Sequence, residues 1–333
     1  MDSNLLEDLL LKMKSLKIAV LGDFALDFYF DIQTQTGEIS IETHKEVHHG
    51  SKARTYLGAA GNVCKNLSHL GIQTTAFGII GKDIFGREII HQMNDLGIKS
   101  DQMFVSDEKE TSVYTKPFAG NKEQNRLDFG TTKSITESIL ENIILQFCLQ
   151  LGSFDGVILN EQFFKPLLNQ KAFEQIQFEL NQVNKLAIAD LRSQGNLAKD
   201  VILKINWNEF VHLTHCQESA IEDLDEIKHQ LSKILINRSK GILLTLGEKG
   251  IIYADKQTFV YEKALPTQGE IDTVGAGDMV VAAFMAAMLA GATEAEACQF
   301  ANICAHISIH KIGETGSATT LEIMNYELWK KKY

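Results

Sequence analysis

The chain has 333 residues, 44% hydrophobic and 23% charged, which is enough apolar material for one large core or two modest ones. Its formal net charge of −11 argues against a general nucleic-acid or membrane-surface binder. Five scattered cysteines without a CxxC pair, and an acidic N-terminus lacking the basic region of a signal peptide, make a reducing cytoplasm the expected location.

Residues 4–16 set leucines among Glu, Asp and Lys at helical spacing and predict a short amphipathic leading helix. Residues 17–23 form a compact apolar run ending in Gly22-Asp23, the pattern of a buried first strand. Asp27 follows, so two carboxylates stand just past that strand's end, where α/β folds place ligands. The competing reading is a pair of solvated loop acids. Residues 28–32 and 40–47 alternate in polarity around Gly37, as an antiparallel excursion with one wet face would. A second such segment covers 103–105, 111–116 and 125–129. Together they predict a small β lid, inserted at about 28–57 and 103–130 into an α/β body. His44, His48 and His49 fall in or beside it and read as surface residues, because no cysteine or second spaced ligand accompanies them.

Gly58-Ala59-Ala60-Gly61-Asn62 opens a run whose small residues let a helix start pack tightly, with an amide near that start. Residues 74–83 read as strand then loop, and 85–98 as helix then turn. Beyond residue 130, candidate strands at 156–160, 186–190, 201–205, 241–246 and 251–255 alternate with helical stretches. That alternation predicts a mostly parallel, doubly wound sheet. Asp190 and Arg192 end one of these strands, and Arg192 is a candidate phosphate contact because a guanidinium grips phosphate oxygens as a fork. Asn206 and Glu209 follow another, where Glu209 offers a hard oxygen to a water-coated Mg²⁺ or simply caps a helix. Thr245, Gly247 and Gly250 sit in a strand–turn–strand setting whose plain reading is a hairpin. Three prolines, no low-complexity linker and no internal repeat leave a single domain over 1–333 as the expectation.

The most informative stretch is Asp272-Thr273-Val274-Gly275-Ala276-Gly277-Asp278, followed at once by an apolar helix-forming run. Such a loop points several N–H groups one way, and with the helix dipole they seat an anion. A carboxylate at that seat suits a proton acceptor working beside a transferring phosphoryl group. A plain helix cap is the competing reading of Asp278. A Rossmann loop would need glycine at Val280, and a Walker A loop needs a Gly-Lys-Ser/Thr triplet that the chain lacks. The apolar run is too short to span a bilayer.

Residues 272–278 resemble the second signature of the PfkB (ribokinase-like) carbohydrate kinases, and residues 58–62 resemble the first, with Ala59 where the second glycine stands. Gly81, Asp83 and Gly86 fit as well, and the resemblance spans about residues 17–320. It implies a ribokinase-like α/β fold with helices on both faces of the sheet. It implies that the backbone of Gly275, Ala276 and Gly277 forms an anion hole and that Asp278 is the catalytic base. Asn62, with Gly58, Asp23, Asp27 and Arg126, would bind the acceptor. Asn206 and Glu209 would organise Mg²⁺, water and phosphate. Thr245, Gly247 and Gly250 would lie against the nucleotide's phosphates, Asn302 near its adenine, and Gly313 in the turn closing that pocket. Asp272 is the candidate for a monovalent cation such as K⁺.

Within the family the chain is most similar to the heptose-7-phosphate kinase domain, through Gly22-Asp23, Leu26-Asp27, the 125–129 segment containing Arg126, Phe300-Ala301-Asn302 and Lys311-Ile312-Gly313. Residues 160–165 depart from the Asp-Tyr-x-Lys-Gly of the heptose enzymes, and the chain ends before the C-terminal nucleotidyltransferase domain of the bifunctional versions. The expected activity is ATP- and Mg²⁺-dependent phosphorylation of a sugar or sugar-phosphate hydroxyl, in a homodimer joined through the lid. The alternatives are a nucleoside kinase of the same superfamily and a binding protein that keeps the pocket without catalysis.

Overall fold

The computed structural model describes residues 1–120, 122–130, 135–238 and 240–326; position 121, within the predicted lid span, lies outside them. In chain order the strands are β1 (Lys17–Gly22), β2 (Phe24–Gln33), β3 (His49–Ala59), β4 (Gln73–Gly81), β5 (Met103–Ser106), β6 (Ser112–Ala119), β7 (Lys122–Glu123), β8 (Gly156–Glu161), β9 (Leu186–Leu191), β10 (Ile202–Asn206), β11 (Ile242–Thr245), β12 (Ile251–Ala254) and β13 (Phe259–Glu262). The helices are α1 (Ser3–Met13), α2 (Ala60–His69), α3 (Ile84–Asp95), α4 (Glu137–Gln150), α5 (Gln170–Val183), α6 (Trp207–Thr214), α7 (Leu224–Leu235), α8 (Ala276–Leu289), α9 (Glu294–Ile309) and α10 (Thr320–Met324).

Among the described residues, nine strands form the main sheet in the order β13-β12-β11-β10-β9-β8-β1-β4-β5. From β5 to β11 the neighbours run parallel, and β12 and β13 turn back antiparallel. Parallel strands need crossover connections that put helices on both faces, so both faces must be apolar. The alternation is visible residue by residue. Ile18, Val20, Ile158, Ile188 and Ile202 pack with α8 and α9, while Ala19, Leu21, Val157, Leu159, Ala187, Ala189 and Leu203 pack with α4, α5 and α7.

That period of two positions the site. Asn160, Asp190 and Lys204 share the parity of Ile158, Ile188 and Ile202, so they face the α8 side at the C-terminal ends of their strands. They are also neighbours across the sheet, Asn160 beside Asp190 and Asp190 beside Lys204. A polar row therefore lies at the sheet's C-terminal edge, the edge where open α/β sheets bind ligands.

The second sheet has the order β3-β2-β6-β7. It departs from the antiparallel excursion expected from the pattern, because β2 pairs with β6 in parallel, from Ala25 with Ser112 to Asp31 with Phe118. Residues 103–105, expected in the lid, instead form β5 at the edge of the main sheet beside β4, so the chain returns to the lid only after passing through β4 and β5. Residues 40–47 contribute one bridge, Ile39 with Glu46, and residues 125–129 contribute another, Val113 with Phe129, rather than full strands.

Candidate active site

The loop before α8 is a turn built around Gly275, whose backbone (φ 81°, ψ 0°) has the third-residue geometry of a type II turn. The Ala276 N–H closes the turn on the Thr273 carbonyl at 3.2 Å. This corrects the expected three-amide seat, since the amide of Ala276 is spent inside the turn. The remaining amides of the first helical turn have no partner within a helix, by the geometry of helix starts. A side chain at 275 has no room: a Cβ there would lie 2.6 Å from Thr315 Cγ2 and 2.7 Å from Asn62 Nδ2. Asp278 is the third residue of α8, beyond the cap position, and makes no capping hydrogen bond. The capping explanation of its presence is thereby removed.

What Asp278 does instead is accept a hydrogen bond from Asn62 Nδ2 at 2.7 Å. Asn62 comes from the first turn of α2 and is fully buried, and its Oδ1 has no hydrogen-bond partner among the described residues. Burial, reinforced by the charge of Asp190, pushes the Asp278 carboxyl up to about 7 against the opposing pull of Asn62 and Lys204. Lys204 pairs with Asp190 at 3.0 and 3.2 Å and is 6% exposed. Burial works against its charge, but Asp190, Glu209 and Asp278 around it hold the ammonium above the ordinary lysine range. A Cβ at Gly277 would lie 3.1 Å from Lys204 Nζ, so the glycine lets the ammonium approach the backbone of the turn. The α2 start is itself unusual, because Ala59 takes φ 52°, ψ −128°.

On the lid side, Asp27 accepts from Lys116 Nζ and Thr315 Oγ1, each at 3.2 Å. Lys116 also donates to the Tyr29 hydroxyl at 2.9 Å. Gly58 is required beside this group, since a Cβ there would sit 3.1 Å from Asp27 Oδ1. Lys65, one turn beyond Asn62, donates to the Thr315 carbonyl, and burial brings its ammonium down to about 8. Asp23 does not join this group. Its carboxylate accepts backbone N–H bonds from Gln162 and Phe163 at 2.9 Å and from Leu167 at 2.7 Å. It is 2% exposed and ties the 162–167 loop to the end of β1, a structural use of the carboxylate expected to bind substrate. Arg126 is a second departure: it forms a fork with Asp128 at 3.2 and 2.6 Å at the lid rim and stacks over Tyr114.

A cleft of about 390 Å³ opens on the other side of the 275–277 turn. Thr245, Gly247, Gly250 and Asn302 line it, with Ala276 and Gly277 at its end. Its size suits a drug-sized ligand, which takes roughly 300–1,000 Å³. The Asn302 amide spends its N–H groups on the Glu262 and Lys263 carbonyls, at 3.3 and 3.0 Å. Asp190, Arg192, Asn206 and Gly313 stand outside the lining. Asp190 faces Lys204, and Arg192 is exposed and donates to the Gln162 carbonyl at 3.1 Å. Asn206 and Glu209 form a reciprocal capping box on α6, at 2.8 and 2.9 Å. Asp272 gives its two oxygens to the N–H groups of Val274 and Gly313, at 3.0 and 3.1 Å, and so ties two loops together.

Comparison with known proteins bears on this arrangement. The description "pfkB family carbohydrate kinase" matches residues 15–321. The chain belongs to that family. Among curated relatives, the bifunctional protein HldE of Sulfurimonas denitrificans is 27% identical over 324 residues, covering 96% of this chain and 65% of the relative. The HldE protein of Helicobacter hepaticus is 28% identical, covering 95% and 64%. The chain thus spans just under two thirds of the length of these relatives. Among solved structures, Arabidopsis thaliana ribokinase complexed with ribose and ATP superposes with a TM-score of 0.72 at 18% identity, over 93% of this chain and 98% of that one. Escherichia coli phosphofructokinase-2 in complex with potassium superposes with a TM-score of 0.74 at 16% identity, over 95% and 99%. The ribokinase-like fold expected from the motifs is the fold observed.

Three lysines beside this arrangement escaped the sequence reading: Lys204, Lys116 and Lys65. Lys204 had a readable signal. It interrupts the apolar run Val201-Ile202-Leu203-Lys204-Ile205, and a charge in a doubly covered parallel strand needs a partner. Lys65 lies in a helix stretch whose neighbours are all buried, which is legible only once the helix is packed. Among the described residues no helix is long and apolar enough to cross a membrane.

Proposed function

We propose that the protein transfers the terminal phosphoryl group of ATP to a hydroxyl of a sugar or sugar phosphate. The observation that carries this reading is the convergence of Asn62, Asp278 and the Gly275–Gly277 turn between the cleft and the lid. In this scheme the acceptor lies beside Asn62 and Asp27, where Asn62 Oδ1 and Asp27 Oδ1 are the acceptors for its hydroxyls. Asp278 takes the proton of the attacking hydroxyl. A carboxyl near 7 is suited to that task, because a base works best with a pKa close to the working pH. The Asn62 amide holds the carboxylate in place. The backbone N–H groups of Gly275 and Gly277 hold the charge of the transferring group.

The nucleotide would lie in the cleft between Thr245, Gly247, Gly250 and Asn302. Mg²⁺ takes one or two carboxylates and completes its shell with water and phosphate, so an all-protein cage is not required. Glu209 has one oxygen outside its capping bond and fits that role through water; the ion, when bound, neutralises phosphate charge. The doubly bonded Asp272 is the anchor of the turn, and a monovalent cation would have to share it with two amides. Pairing of two copies through the lid is supported by β3, where residues 49–53 are exposed, and by the exposed Ile39 and Ile41 beside it. Sedimentation of the protein against a variant with Ile39→Lys and Ile41→Lys tests that pairing.

The activity is tested by incubating the protein with ATP, Mg²⁺ and a panel of sugars, sugar phosphates and nucleosides while following ADP release. Acceptor-dependent release with a sugar or sugar phosphate is expected. Release with nucleosides alone would assign the protein to nucleoside phosphorylation, and release with no acceptor of any class would sink the catalytic reading.

A further inference from the structure

Lys204 is a charged side chain in a place that fold stability alone does not explain. A buried ion pair such as Lys204–Asp190 is often no better for stability than two well-packed apolar residues. Its strand supplies apolar residues at Ile202, Leu203 and Ile205, all buried. The parity of β10 sends residue 204 toward α8, and the ammonium ends 3.1 Å from where a Cβ of Gly277 would stand. The pairing with Asp190 comes from the neighbouring strand, in register, so the ammonium is held from the sheet side and offered to the turn. Three carboxylates, Asp190, Glu209 and Asp278, act on this lysine, so its charge is secured in a protein whose net charge is −11. Gly277 lines the end of the cleft.

Resting on the kinase reading above, we infer that Lys204 is a catalytic residue whose ammonium contacts the terminal phosphoryl group of the nucleotide at the Gly275–Gly277 turn. The reaction balances without Lys204 changing its protonation. The acceptor oxygen forms a bond to phosphorus, the bond to the bridging oxygen of ADP breaks, and the hydroxyl proton goes to Asp278. Lys204 supplies fixed positive charge where the equatorial oxygens gather negative charge, and Asp190 holds its orientation.

The test compares binding of ADP with binding of the non-hydrolysable ATP analogue AMP-PNP, both with Mg²⁺, by titration calorimetry. The ratio of the two affinities reads the terminal phosphate alone. In Lys204→Met the ADP affinity should stay within threefold of wild type, while the preference for AMP-PNP falls at least tenfold. Lys204→Arg, which keeps the charge, should retain part of that preference. Because Lys204→Met leaves Asp190 buried without its partner, the double variant Lys204→Met/Asp190→Asn carries the same measurement in a fold free of that burden. An unchanged AMP-PNP preference in both variants overturns the inference, and so does an equal loss of both nucleotides, which would mark Lys204 as structural. Failure of the wild type to bind either nucleotide would instead overturn the reading of the cleft itself. On any acceptor found by the panel, kcat should fall at least a hundredfold in Lys204→Met with the acceptor KM little changed.

Discussion

Asp23 is a buried and Asp278 a half-buried carboxylate at the C-terminal edge of one sheet, and desolvation raises both, Asp23 to about 6 and Asp278 to about 7. Their partners differ. Asp23 accepts three backbone N–H bonds from the 162–167 loop, so both oxygens are committed to holding the chain. Asp278 accepts one bond from an adjustable side chain, Asn62, and keeps partial exposure at the mouth of the turn. Burial alone therefore does not separate a working carboxylate from a structural one; the number of free lone pairs does. A carboxylate whose two oxygens are both held by backbone donors is tied to the loop it anchors, whereas one with a single side-chain donor keeps an oxygen for a substrate proton.

Neutralising each acid separates the two roles. Asp278→Asn should lower kcat by about two to four orders of magnitude, the usual worth of a positioned proton acceptor. Its folding stability should be unchanged or higher, because a desolvated charge has been removed. Asp23→Ala should do the reverse and cost about 3 kcal/mol of stability, since each orphaned buried donor costs about 1–3 kcal/mol before relaxation. Denaturant unfolding beside steady-state kinetics reads both. If Asp23→Ala folds as well as wild type but loses turnover, the two roles have been exchanged.

Acid titration sharpens the same contrast. An unfolded aspartate titrates near about 3.9. Both groups are raised in the folded state, so the folded protein binds extra protons above that point. The stability they contribute is complete below about 4 and is lost as pH rises, through about 6 for Asp23 and about 7 for Asp278. Asp23→Asn should flatten the lower part of that fall and Asp278→Asn the upper part. In wild type, kcat/KM should climb about tenfold per pH unit below about 7 and level off above it, because Asp278 must be ionised to take a proton. A kcat/KM flat from pH 5 to 8 would remove Asp278 from the proton-transfer role.

The parallel sheet was legible because its strands are continuous apolar runs, and all five predicted for residues 156–255 are present within a residue or two of their expected ends. β13 was not, because each of its four residues is only half-buried and the run is short. The lid's parallel β2–β6 pairing depends on the path of the chain between the two strands, which alternation does not encode. In the site, Gly275 and Asp278 were legible from local spacing, since one turn and one helix start carry both. The bonding of Asp23 was not legible for a physical reason: the 162–167 loop that claims its oxygens is distant in sequence, and nothing in Gly22-Asp23 announces it. Asn206 and Glu209 presented two readings at equal spacing, and the capping bonds are formed, leaving one Glu209 oxygen for other work.

The Asp278 side of the comparison depends on a turn with no slack. Gly275→Ala places a methyl 2.6–2.7 Å from Thr315 and Asn62 while keeping φ at 81°. A left-handed conformation costs an L-residue roughly 1–2 kcal/mol before any overlap is counted. The expected loss is about 2–3 kcal/mol of stability in thermal or denaturant unfolding, with turnover reduced more than tenfold as the Asn62 amide is pushed from Asp278. The same substitution at Gly37, also at positive φ but with nothing within 4 Å, should cost only the backbone term and leave turnover intact.

Ala59 joins the two carboxylate regions, and there the smallest effect should appear. It precedes Ala60, whose N–H donates to the Asp23 carbonyl at 2.8 Å, and it starts the helix that carries Asn62. At φ 52°, ψ −128° its methyl group is held in a region that glycine enters freely, at a cost of order 1–3 kcal/mol. Glycine would relieve that strain but gain chain entropy in the unfolded state worth about 0.4–1 kcal/mol. Ala59→Gly should therefore stabilise the fold by about 1 kcal/mol, a rise of roughly 2 °C in Tm for a chain of this size. If the methyl group also narrows the acceptor site, the same variant should accept bulkier sugars in the ADP-release panel at an unchanged nucleotide affinity. A gain in stability with an identical acceptor profile would confine Ala59 to backbone strain.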